Sequence, residues 1–372
     1  MQIDSIEVFH VALPRKQPQE TVARPLDTLE TVLVRMQSGQ TVGWGEAGPG
    51  NAPVASAEWA AGVFGCLRDW LVPAISGTVV DSGDDLQQRL APFRGNRFAK
   101  AALDTAWWDL QARLQGQPLH QLLGPERQAV EVGVTFDQMD SVDDFLSGIG
   151  RALDAGFSRV GLKLRPGWDV FMVDAVRKEY PIGTLHADAE GALGLEHMEM
   201  LCRFDDFTLA MIEQPLPADD LVGHAMVQEA VRTPICLDES ITDLAQAEMA
   251  LELKSCQFVN LKPGRVGGLT TALAIHNACH ENCVPCWVGA TPQSAIGQRF
   301  GLALAAKANC TYPADFFPSE DLLRQDLARP LVPARDQSDG KMRIQLWSEP
   351  GIGTEPDQEL LDKYCLARAK AD

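Results

Sequence analysis

Short apolar runs punctuate the middle of the chain at 160–164, 184–187, 208–212, 234–237 and 257–261, each followed by a segment long enough for a helix. Runs of this length suit buried strands, so each run with its helix reads as one βα unit. Each run closes on an ionisable residue, in order Lys163, Asp188, Glu213, Asp238 and Lys262, at intervals of 25, 25, 25 and 24 residues. That period is the repeat of a (β/α)8 barrel, whose chemistry sits at the C-terminal ends of the strands. With 129–136 as the first strand, the seventh is expected at 284–288 and the eighth at 309–312, and the barrel spans 125–318.

Ahead of the barrel, strand-like runs occupy 3–13, 28–36 and 41–47. The last two flank a glycine-containing turn and predict a hairpin, whereas 14–26, polar and proline-bearing, is expected as a loop. Helices are expected at about 56–71, 84–90 and 97–114, the third with Ala101, Leu103, Trp107, Leu110 and Leu114 on one side. Strands followed by helices imply an α+β domain over 1–124. From 319 to 372 the periodicity fades into a strand mixed with turn residues. The fold class is thus α/β, a TIM-type barrel with an N-terminal α+β domain.

Composition narrows the function. With 51 acidic against 32 basic residues the net charge is −19, which opposes binding to nucleic acid or an anionic membrane. The N-terminus lacks the basic and apolar regions of a signal peptide, and no apolar stretch reaches the roughly 18 residues of a transmembrane helix. Nine cysteines, an odd number scattered over a long chain, point to a reducing cytoplasm.

Counting strands places Lys163 and Lys262 after strands two and six, facing each other across the mouth, with Asp188, Glu213 and Asp238 filling one arc between them. Three acids on adjacent strands repel one another without a cation, and oxygen ligands of this kind suit Mg2+, with Mn2+ as a substitute. Buried ion pairs bracing the barrel are the alternative reading. A lysine close to a metal and a second cation is expected to have a lowered pKa and to accept a proton near neutrality.

The segments "IEQPL" at 212–216, "PICLDES" at 234–240 and "VNLKPGRVGG" at 259–268 resemble the enolase superfamily in its muconate-lactonising subgroup. Within that subgroup, "GLKLRPGWD" at 161–169 resembles the o-succinylbenzoate synthase and N-acylamino acid racemase family, and similarity runs from "GWGEA" at 43–47 to "PGIGTEP" at 350–356. The resemblance implies that the N-terminal domain caps the barrel mouth and that the 319–372 tail returns to it. It also implies a small carboxylate substrate, a homo-oligomer, and Asp188, Glu213 and Asp238 as Mg2+ ligands. Lys163 would remove the proton next to the carboxylate. Lys262 would serve as the second base of a racemase or as a cation in a dehydratase.

Aligned on "PGWD", Lys163 falls on the second lysine of the family's lysine-x-lysine motif and Gly161 replaces the first. The family's "DAN" is "DAE" here, so Glu190 is a new acid, either a solvated loop residue or one that faces the pocket and disfavours an anionic substrate tail. Gln293 replaces a glutamate after strand seven. Glu239 and Ser294 are expected beside the substrate or in the layer behind it. A muconate-type cycloisomerase, a dipeptide epimerase and a barrel retained only for binding are the other readings. The spacing of Cys279, Cys283 and Cys286 imitates an iron-sulfur motif, but their expected place in a helix and strand seven makes them packing residues. His276 and His280 lack the glutamate pattern of a zinc site. "GRVGG" lacks a P-loop lysine and is expected to turn the chain from strand six into its helix.

Overall fold

A computed structural model describes residues 1–19, 25–165 and 167–371. The N-terminal sheet is an antiparallel ladder of β1 (Ser5–Gln19), β2 (Leu26–Ser38) and β3 (Thr41–Ala47), with the last strand of the chain, β14 (Cys365–Ala371), on the outer side of β1. Alternation along β1 splits the apolar residues between two faces. Ile6 and Val8 join a core with the N-terminal helices, whereas Phe9, Val11 and Leu13 join the core that continues into the barrel.

The expected loop at 14–26 is instead a continuation of the hairpin as far as Gln19, with Pro14 opposite Thr28; 20–24 fall outside the described residues. β14 pairs with β1 only from Ile6 to Val11; beyond that point, among the described residues, the outer side of β1 meets only a short bridge between Arg15 and Leu323, where Pro14 takes part as acceptor, from Arg324 N–H at 2.9 Å. The first helix begins at Ala60 rather than 56, passing through a π turn at Leu67–Leu71 before ending at Ile75. Glu58 is drawn off to cap another helix, Arg97–Leu114, by accepting from the N–H groups of Phe98 and Ala99 at 3.1 and 3.3 Å. That helix lies directly on β3, where a Cβ on Gly45 would sit 2.2 Å from Ala102 O.

The barrel strands β4 (Ala129–Phe136), β5 (Arg159–Lys163), β6 (Thr184–Asp188), β7 (Ile212–Glu213), β8 (Ile235–Leu237), β9 (Phe258–Leu261) and β10 (Cys286–Val288) pair in parallel in chain order. Two expectations need correction. The run at 208–212 is less regular than a full strand: Thr208 is left-handed at φ 51° after a 3-10 segment, Ala210 and Met211 bond the backbone of β6, and regular strand geometry is confined to Ile212–Glu213. The eighth strand is β11 (Ala314–Asp315), which pairs with β4; of the expected 309–312, only Cys310 bridges to Cys286 of β10. Closure is thus divided along one extended segment, with Pro313 between its halves. In the tail, β12 (Ala334–Arg335) pairs with β13 (Met342–Gln345), which runs antiparallel to the start of β4, so the tail is stitched to the barrel before β14 reaches the N-terminal sheet. No helix among the described residues is long and apolar enough to cross a membrane.

Candidate active site

The parallel register sets Lys163 beside Asp188 and Asp188 beside Glu213 at the ends of β5, β6 and β7. Asp238 and Lys262 directly follow β8 and β9. The five residues therefore stand on consecutive strands, with a lysine on each flank of three acids. Lys163 Nζ lies 3.5 Å from Asp188 Oδ2, and Lys262 Nζ donates to Asp238 Oδ2 at 2.7 Å. Arg265, on the helical turn after β9, grips the other oxygen of Asp238 and reaches Glu239 at 3.4 Å. Asn260, two residues before Lys262 and so on the same strand face, donates to Glu213 at 2.7 Å.

Burial shapes the charges. Glu213 and Asp238 are each 3% exposed. Burial and then the neighbouring Glu213 push Asp188 up to about 8, and Lys163 pulls the other way. Burial and then Asp238 likewise push up Glu213 and Glu239. For Asp238, burial is outweighed by Arg265 and then Lys262, which hold it below the usual carboxylate range. Burial acts to lower the pKa of Lys163, but without a cation Asp188 and Glu190 outweigh it and raise it; the expected lowering belongs to the site with a cation bound. Lys262 is raised for the same reason, chiefly by Asp238.

Asp238 is turned onto Lys262 and Arg265, and among the described residues no group of three or more His, Cys, Asp or Glu side chains is gathered closely enough to hold a metal ion. The donor set still fits one. Asp188 and Glu213 are cross-strand neighbours that resist joint ionisation, and Glu239 has an oxygen with neither solvent contact nor a hydrogen-bond partner. Excess buried negative charge on hard oxygen donors is what a divalent cation relieves.

The other expected site residues separate. Glu190 sits in a left-handed turn at φ 48° and contacts Lys163 through one oxygen and Arg165 Nη1 at 2.6 Å through the other. It is therefore an acid paired with two cations. Arg165 also binds Asp137 at 2.6 Å. Gly161 lies on the inner face of β5, one layer below Lys163, and pairs with His186. Gln293 lines the cleft over Lys262, together with Gly289, Ala290, Phe316 and Phe317. Ser294 is fully buried, in the layer behind the cleft wall. Its N–H and hydroxyl bond Glu46 of β3 at 3.0 and 2.5 Å, and Gly297 N–H adds a bond at 2.7 Å.

Sequence reading missed Arg265, Asn260, His186 and Glu46. Strand alternation could have found two of them, since Asn260 and His186 each stand two residues before a predicted site residue. Cys279 is buried in the helix Leu269–Glu281, Cys283 is exposed and Cys286 lies on β10. His276 is buried on that same helix. Gly267 and Gly268, at φ 97° and 123°, turn the chain into it, and a Cβ on Gly268 would meet Asp104 at 2.3 Å.

Residues 4–124 match the mandelate racemase / muconate lactonizing enzyme N-terminal domain, and residues 145–360 match the enolase C-terminal domain-like family. The chain is 38% identical over 363 residues to o-succinylbenzoate synthase of Geobacillus kaustophilus, covering 97% of this chain and 96% of that one. It is 35% identical over 369 residues to N-succinylamino acid racemase of an Amycolatopsis species, covering 99% of each. An unknown member of the enolase superfamily from Enterococcus faecalis V583, with a solved structure, superposes at TM-score 0.93 with 32% identity over the whole of both chains. Members of that superfamily generally use Mg2+. The chain therefore belongs to the mandelate racemase and muconate lactonizing enzyme family of the enolase superfamily, and it is an enzyme of that superfamily's proton-abstraction chemistry.

Proposed function

We propose that this enzyme removes the proton α to the carboxylate of an o-succinylbenzoate precursor or an N-succinylamino acid, with Lys163 as base. The observation that carries the reading is the order along the barrel: Lys163, Asp188, Glu213, Asp238, Lys262, each lysine in contact with the outer acid on its side. Asp188, Glu213 and Asp238 would hold Mg2+, with Mn2+ able to substitute. When bound there, the ion supplies positive charge against the negative charge that develops on the substrate carboxylate.

Lys163 Nζ, as the free amine, takes the α-proton, so a C–H bond breaks and an N–H bond forms. Lys262 is held as an ammonium by Asp238. In racemisation it returns a proton to the opposite face of the same carbon. In dehydration Lys262 keeps its proton and stays as a cation, while the proton on Lys163 leaves with the hydroxyl as water. Both outcomes share the first step, which accounts for relatives bearing both names. Gln298, whose amide donates to the carbonyls of Gln293 and Phe317, braces the wall of the cleft in either case.

The test is wash-out of the α-proton in D2O, followed by NMR, for N-succinylamino acids and for a hydroxylated o-succinylbenzoate precursor, with Mg2+ and after chelation. Exchange or turnover that needs the metal supports the reading. No exchange and no turnover with any of these acids would leave a barrel without this chemistry.

A further inference from the structure

On the inner face of β5, a Cβ built on Gly161 would come within 2.7 Å of both His186 Cε1 and Thr135 Oγ1. The imidazole of His186 thus occupies the space that a side chain at 161 would need. Where the resembled family carries a lysine, the layer beneath Lys163 and Asp188 holds a ring. It is 1% exposed and packs edge-on against Trp287 and Tyr312, at 5.5 and 5.8 Å between centroids.

Both ring nitrogens face polar groups from elsewhere in the barrel. Nδ1 lies 3.3 Å from the Tyr312 hydroxyl, and Nε2 lies 3.4 Å from Glu213 Oε2. The other oxygen of Glu213 accepts from Asn260 at 2.7 Å. A ring this buried is a neutral imidazole with one N–H. The Tyr312 hydroxyl can donate to Nδ1, which leaves the proton on Nε2, the nitrogen nearer the carboxylate, at a separation longer than a well-formed hydrogen bond. The reverse tautomer would leave a lone pair facing Glu213.

We propose that His186 is a positioning residue whose Nε2–H, together with Asn260, fixes the orientation of Glu213 and presents that carboxylate to the cation, a role for which Gly161 makes room. The inference rests on the reading of Asp188, Glu213 and Asp238 as cation ligands. Hydrogen-bond partners behind a metal ligand are worth about 10- to 100-fold in affinity.

The experiment is calorimetric titration of the full chain with Mg2+. His186→Phe keeps a ring in the space but removes the donor, and should weaken Mg2+ binding at least tenfold. His186→Gln restores a donor and should recover most of it. Wild-type affinity in a folded His186→Phe would overturn the proposal and leave the ligand assignment intact. Absence of Mg2+ binding by wild type would overturn both. If His186→Phe does not fold, 15N-histidine NMR of the wild type decides. The Nε2–H tautomer, with a signal that shifts when Mg2+ is added, is expected, whereas the Nδ1–H tautomer or a signal unmoved at saturation would refute it.

Discussion

Replacing Glu190 by asparagine, the residue the resembled family carries, takes one anion off Lys163. In the structure Lys163 touches Glu190 and lies 3.5 Å from Asp188, and these two carboxylates reverse the lowering that burial alone would impose. An opposite charge at such a distance shifts a pKa by about 1–3 units. Because the Glu190 side chain is 39% exposed, water screens it, and a loss of about one unit is expected. Asparagine tolerates the left-handed turn at 190, so the fold is not threatened.

A base of lower pKa stays deprotonated to lower pH. The acid limb of the pH profile for α-proton exchange should therefore move down by about one unit, and the rate below that limb should rise about tenfold. The assay is NMR-detected exchange in D2O across pH at saturating Mg2+, repeated at high salt, where the gap between the proteins should narrow. An acid limb that stays in place or moves to higher pH in Glu190→Asn would refute the assignment of Glu190 as the anion that sets the basicity of Lys163.

Other consequences are as direct. Asp238→Asn should lower Mg2+ affinity at least tenfold by calorimetry while the barrel still folds, and an unchanged titration would remove Asp238 from the ligand set. Glu46→Gln should cost about 1–3 kcal/mol in urea denaturation, because its carboxylate accepts from Thr31, Ser294 and Gly297 and an amide NH2 would face one of those donors; a loss of under half a kcal/mol would mean that the junction does not depend on them. Asp104, buried against Thr270 and Gln87, is pushed up to about 6 by burial. The native state therefore holds its proton more tightly than the unfolded chain. Its contribution is full below pH about 4 and is lost as pH rises through about 6, a change of about 3 kcal/mol at most. Asp104→Asn should flatten the stability profile in that window, and an unaltered slope would contradict the assignment.

The strand ends were legible because a βα unit of constant length repeats its ionisable residue at a constant interval, and parallel register then brings neighbours such as Lys163, Asp188 and Glu213 together. The weak points were those with no local signature. Ile212–Glu213 forms too short a ladder to be located by apolar content alone, and the eighth strand is divided around Pro313. The extension of β1 through Pro14 is met on its outer side by β14 and by the bridge to Leu323, both of which arrive from the far end of the chain. Ser294 could not be given a partner because nothing near it in sequence announces Glu46, 248 residues earlier. Arg265 and Glu190 carry charge in plain view, but their partners are set by how β8, β9 and the turn after β6 converge.

The central claim is that Lys163 and Lys262 address one carbon from opposite sides, and the most direct measurement is enantiomer-resolved deuterium exchange of an N-succinylamino acid by wild type, Lys163→Ala and Lys262→Ala. The account predicts that wild type exchanges both enantiomers and that each variant loses exchange of one by about 10²-fold or more while retaining Mg2+ binding. If dehydration is the only reaction, both variants instead lose turnover of the single reactive configuration. Full activity of Lys163→Ala on a substrate that wild type turns over would contradict the account.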